Sequence, residues 1–106
     1  MTAYAIGELR VAEITRGIRD YLARIDATLA PYGGEFMVYG GRKEMLEGES
    51  DHDLIVIAFP DVAAARNWYA SAAYQKIVPL RRDGAEGAIY LIDGVGPEHR
   101  ATDILR

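Results

Sequence analysis

The chain has no cysteine, which removes disulfides, thiolate nucleophiles, iron–sulfur clusters and cysteine zinc sites together. Such a chain suits a reducing compartment. No apolar run approaches the roughly 18–20 residues needed to cross a bilayer. The first residues, Met1 to Glu8, carry no basic segment followed by an apolar stretch, so they do not read as a secretion signal. A cytoplasmic protein without a membrane partner is the expectation. Clustered positive charge is also missing: the formal net charge is −4 and the pI about 5.1. The basic residues are scattered, and only Arg42-Lys43 and Arg81-Arg82 form local pairs, a pattern that ordinarily marks solvated surface. Nucleic acid is therefore not an expected partner, because phosphate neutralisation needs grouped Lys and Arg. The two histidines, His52 and His99, show no zinc spacing, and no metal or cofactor is expected.

What is present is ordinary globular material. Half of the 106 residues are hydrophobic and 26% are charged, enough for one domain with one main core. Ala3 to Val11 alternates as a strand, with Ala3, Ala5, Gly7, Leu9 and Val11 on one face. A helix follows, its apolar stripe formed by Ile14, Ile18, Tyr21, Leu22, Ile25, Leu29 and Tyr32, with Asp20 and Arg24 on the wetter side. Pro31 and Gly33-Gly34 end it. Glu35 to Gly40 reads as a second strand, followed by a connection with a short extended piece around Glu44-Met45-Leu46. Leu54 to Phe59 is apolar at consecutive positions, as in a strand buried on both faces.

Pro60 stops that strand and Asp61 is placed to cap the next helix. Ser71 is placed to cap a second helical piece to about Arg82, in which Pro79 predicts a kink or break. Ala88 to Ile92 is the last strand. The order β-α-β-β-α-β is the ferredoxin-like arrangement, an α+β fold with a four-stranded antiparallel sheet and helices on one face. The domain is expected over residues 1–95, with a polar tail over residues 96–106. Helices can cover only one face of such a sheet, yet its strands are apolar on both. If about 600 Å² per subunit were hidden, transfer bookkeeping gives a gross term on the order of 15 kcal/mol, less association costs. A sheet-to-sheet homodimer is the expectation.

An ordered set of short pieces carries a family likeness: Tyr32-Gly33-Gly34, Gly40-Gly41, Leu46-Glu47-Gly48, Phe59-Pro60, Trp68-Tyr69-Ala70-Ser71, Tyr74-Gln75, Leu80-Arg81 and Asp93-Gly94-Val95. On these the chain resembles the family catalogued as domain of unknown function 1330, within the dimeric α/β-barrel superfamily. The resemblance spans roughly residues 3–95 and departs at Tyr39, where the family often carries arginine. It implies the fold and the dimer. Relatives in the superfamily include cofactor-independent monooxygenases, haem-degrading enzymes, lactone isomerases and binding proteins, so fold analogy leaves the chemistry open.

His52, between Asp51 and Asp53, is the general-base candidate by residue type, or else a solvated turn histidine. Trp68, Tyr69 and Tyr74 would line a pocket for a flat organic ligand, or else plug the core. Arg81 follows that aromatic group in the family pattern and would clamp a carboxylate. Its plainer role is an arginine on the last carbonyls of a helix. Arg81→Ala is expected to weaken anionic-ligand binding while leaving stability within about 1 kcal/mol, as surface changes do. Arg42, just past Gly40-Gly41, has similar standing. The glycine pair lacks the lysine and helix of a phosphate loop, and Ser50 and Ser71 lack a nucleophile-elbow context. The acids Glu35, Glu44, Glu47, Glu49, Asp51 and Asp53 read as solvated.

Three functions remain open on these residues. The leading one is a small dimeric protein binding a small organic ligand, with anions in its range, between sheet and helices. The others are a cofactor-independent monooxygenase or isomerase, and a structural or stress-associated dimer without catalysis. A shifted tyrosine or histidine facing an enclosed pocket favours the enzyme, and a packed interior with Arg81 in solvent favours the structural dimer.

Overall fold

The computed structural model describes residues 1–105. Alternation in Ala3–Val11 produces β1 over those same residues, its odd positions turned to the buried side. Thr15 caps α1 (Arg16–Leu29) by accepting from the Ile18 amide at 3.1 Å. The buried stripe of α1 is Ile18, Tyr21, Ile25 and Leu29. Ile14 precedes the helix and Leu22 lies at its edge, and both are exposed. A single turn of tighter helix over Ala30–Tyr32 ends at Gly33, whose φ of 71° suits glycine.

β2 (Glu35–Tyr39) pairs antiparallel with β3 (Asp53–Phe59), and a bulge falls between Phe36 and Val38. Phe36 and Tyr39 would sit on opposite faces of a regular strand. The extra residue puts both on the helix side, opposite Ile57 and Ile55. Residues 40–52 form no strand, contrary to the extended piece expected around Met45. Its apolar side chains have nothing to pack on: Leu46 is 88% exposed.

Asp61 caps α2 (Val62–Ala70), accepting from Ala64 at 2.8 Å. Ser71 then serves both neighbours, donating to the Trp68 carbonyl at 2.6 Å and accepting from the Tyr74 amide at 3.2 Å. α3 (Ala72–Arg82) runs through Pro79 without the expected break. Tyr74, Ile77, Val78 and Arg81 are buried on its inner side, and that packing outweighs the single donor lost at proline. β4 spans Ala85–Asp93, beginning three residues earlier than its apolar core implies. At Gly87 (φ 140°) a Cβ would lie 1.9 Å from the Glu8 carbonyl oxygen, so glycine lets β4 close on β1 there.

The sheet order is β2-β3-β1-β4, all neighbours antiparallel, which is the ferredoxin-like topology. The core lies between its inner face and the helices, around Trp68, Tyr74, Phe59 and Val78. Trp68 stacks at 4.1 Å from Tyr74 and 5.4 Å from Phe59, and its Nε1 donates to Thr28 Oγ1 at 3.0 Å. The outer face is uncovered in the single chain: Val38, Leu54, Tyr90 and Ile92 are exposed, the last by 51%. The tail beyond β4 carries a short turn of helix over Ala101–Leu105, and its last residue, Arg106, lies outside the described residues. Among the described residues no helix is long and apolar enough to cross a membrane.

Candidate ligand site

α1 packs chiefly against α3, and the sheet beneath it carries small residues. Ala5 and Gly7 on β1 leave a hollow where larger side chains would reach the helix. The result is a cavity of about 350 Å³. Ile18 and Ile25 of α1 form its roof, Ile55, Ile57 and Ile89 its sheet side, and Trp68 and Tyr74 one end. Phe36 and Tyr39, packed edge to face at 5.1 Å, flank its opening with the exposed Leu22.

Three polar groups converge in this apolar space. The Tyr21 and Tyr74 hydroxyls lie 2.7 Å apart in a buried hydrogen bond. Arg81 is only 6% exposed, and its guanidinium carbon lies 6.0 Å from the Tyr21 ring centre. Arg81 forms no ion pair among the described residues, and its Nε is buried with no hydrogen-bond partner. A cation in apolar surroundings without a counter-charge is costly. Burial, followed by the neighbouring Tyr74, pushes the Tyr21 hydroxyl well above its ordinary range, against a smaller downward pull from Arg81. Tyr21 therefore stays protonated near neutral pH and keeps an O–H that can donate; either hydroxyl can be the donor in the bond between the two. Of the two hydroxyl protons, the Tyr21–Tyr74 bond uses one, which leaves the other available.

The sequence candidates separate in space. Trp68, Tyr74 and Arg81 line the cavity. The surface premise for Arg81 does not hold, because the same helical spacing that buries Tyr74, Ile77 and Val78 buries it too. Tyr69 sits behind the wall, half-buried, 6.3 Å from Trp68 and 5.6 Å from Tyr74. Arg42 is exposed on the connection after β2 and does not line the cavity. His52 is likewise outside it, with Nδ1 2.8 Å from Asp51 Oδ1, and its backbone carbonyl accepts from Lys43 Nζ. Desolvation tends to raise the Asp51 carboxyl, but His52 and Arg10 outweigh it and hold it below the usual carboxylate range. His99 lies in the tail, 3.4 Å from Asp103. No group of three His, Asp or Glu side chains among the described residues is placed to hold a metal.

Two lining residues were not singled out from the sequence. Tyr21 reads as one more member of an apolar stripe, although a hydroxyl on a buried stripe demands a partner. Asp53 reads as one acid among several, although alternation places it on the same face as Ile55 and Ile57.

The fold places the chain among ferredoxin-like proteins. A dimeric ferredoxin-like protein of unknown function from Jannaschia sp. CCS1 superposes with a TM-score of 0.65 at 17% identity, over 89% of this chain and 100% of that one. SnoaB, a cofactor-independent oxygenase from Streptomyces nogalater, superposes with a TM-score of 0.59 at 17% identity, over 93% and 98%. A protein of unknown function from Rhodopseudomonas palustris superposes with a TM-score of 0.57 at 19% identity, over 91% and 84%. At these identities the likeness concerns the fold alone. No curated protein matches the chain by sequence. The family described as Domain of unknown function (DUF1330) matches residues 2–95, and the chain belongs to it.

Proposed function

We propose that the chain binds a small organic anion in the cavity between α1 and the sheet, with Arg81 as counter-charge. One observation carries this reading: a buried guanidinium faces an apolar cavity with an unpartnered Nε. The buried polar groups beside it, the Tyr21 and Tyr74 hydroxyls, can donate as well, and an anion is the ligand class that a cation with donors recognises. A volume of about 350 Å³ lies at the small end of ligand sites. Trp68 and Tyr74 close one end, and the aliphatic walls would take the ligand's body.

Oxygenase or isomerase chemistry without a cofactor needs a base beside the substrate. Tyr21 does face the cavity with a shifted hydroxyl, but the shift is upward, which keeps its proton in place and makes it a poorer base. With His52 outside the cavity, this supports binding over acid–base catalysis. A purely structural dimer would have a filled interior and a solvated Arg81, and the cavity and buried arginine speak against it. The apolar outer face, with Ile6, Val38, Val56, Tyr90 and Ile92, supports a homodimer closed sheet to sheet, since monomers rarely leave such a patch open.

The test is calorimetric titration of the intact protein with octanoate and with octanamide, which match in shape and differ in charge. Octanoate binding at least about tenfold tighter than the amide is expected for a desolvated cation–carboxylate contact. Equal affinities would remove Arg81 from the role of counter-charge.

A further inference from the structure

The cavity wall carries two charged side chains, Arg81 and Asp53, and they differ in burial. Arg81 is inside, whereas Asp53 is exposed at the first residue of β3. Register fixes where that is. Asp53 lies opposite Leu9 of β1, and the Gly40 amide donates to the Leu54 carbonyl at 2.8 Å, bringing the end of β2 alongside. The carboxylate thus stands at the rim, beside Gly40. It has no ion-pair or hydrogen-bond partner among the described residues.

We infer that the site selects acids carrying a single negative charge on an apolar body, monocarboxylates, and that Asp53 at the rim turns away acids with a second charge. This rests on the anion-binding reading above. Arg81 can neutralise one carboxylate, and the lining offers no second cation. A second carboxylate on the ligand then has two places to go. Inside, it would be an unpaired charge among isoleucines, which is costly. At the opening it would meet Asp53, a like charge with no partner of its own. The Tyr21–Tyr74 pair fits the same ligand class, since its spare O–H would donate to the carboxylate oxygen that Arg81 leaves free.

The experiment compares octanoate with octanedioate on wild-type protein and on Asp53→Asn, read by calorimetry and by the fluorescence of Trp68, the one tryptophan in the chain. Wild-type protein should bind octanoate at least about tenfold tighter than octanedioate, the cost of one unpaired charge. Asp53→Asn should narrow that ratio by about fivefold, the water-screened repulsion of two charges near 4 Å. Added salt should narrow it in the wild type as well, without any substitution. Octanedioate matching octanoate on wild-type protein would overturn the inference and leave the anion reading standing. So would a ratio unmoved by both Asp53→Asn and salt. If octanoate does not bind at all, both readings fall.

Discussion

Replacing Arg81 by methionine should stabilise the ligand-free protein while removing its affinity for anions. Methionine fills similar length with an adaptable apolar chain. The substitution removes a charge that is 6% exposed, has no ion-pair partner among the described residues and holds an unsatisfied Nε. Leaving a buried donor unpaired costs about 1–3 kcal/mol, and exchanging buried ionic groups for apolar ones gains about 1–4 kcal/mol. The contact with the Tyr21 ring, at 6.0 Å, and the guanidinium's hydrogen bond to the Tyr21 hydroxyl are lost and offset part of this. A net gain of about 1–3 kcal/mol follows, and at about 4–8 °C per kcal/mol for a domain of this size it is readily measured. The assay is thermal and urea unfolding at fixed protomer concentration, with and without octanoate. Octanoate should raise the wild-type Tm through preferential binding to the folded state and leave the variant unmoved. Destabilisation of the variant by more than about 1 kcal/mol would make Arg81 a strut between α3 and α1. Equal protection of both proteins by octanoate would place the anion elsewhere.

Gly7→Val should fill the cavity from below: its Cβ would meet Ile89 Cδ1 at 3.3 Å, a tight contact that the end of that side chain must relieve by a few tenths of an ångström, and Ile55 Cβ at 3.6 Å. Octanoate affinity should fall about tenfold or more by calorimetry. Val56→Lys sets a charge amid the outer sheet face, between Ile6 and Val38; on the proposed sheet-to-sheet packing, sedimentation should show a dimer for the wild type and a folded monomer for the variant. Tyr21 ties stability to alkaline pH. Its hydroxyl is raised above the ordinary 10.0 in the folded state, so the unfolded chain releases this proton first and stability falls as pH climbs past about 10. In urea titrations Tyr21→Phe should remove about 1.4 kcal/mol per pH unit of that decline. Tyr39 and Tyr90 are also raised and keep their share.

Much of the fold is written in local pattern. The limits of β1 follow from alternation, and the turn from α2 to α3 follows from Ser71, whose hydroxyl both donates and accepts. Pro79 misleads because the packing of α3 outweighs one missing donor. The apolar Met45-Leu46 pair misleads because neither side chain is buried, Leu46 being almost wholly exposed and Met45 about half. In the site, Arg81 follows Tyr74, Ile77 and Val78 at helical spacing, so its burial was encoded even though an arginine pair ordinarily signals solvent. Asp53 was encoded by alternation in the same way. The cavity was not, because it depends on how far α1 stands from β1 once α3 has taken up its packing face. The bulge that brings Phe36 and Tyr39 to one side has no sequence mark either, as no glycine or proline lies within β2.

The most direct test is a crystal structure of the protein grown with 8-bromooctanoate, with the bromine located by its anomalous signal. The carboxylate should lie within about 3 Å of Arg81 Nε, with the bromine in the cavity or at its opening beside Phe36 and Tyr39. Bromine found only on the outer surface, or Arg81 Nε still unpartnered beside an occupied cavity, would contradict the account.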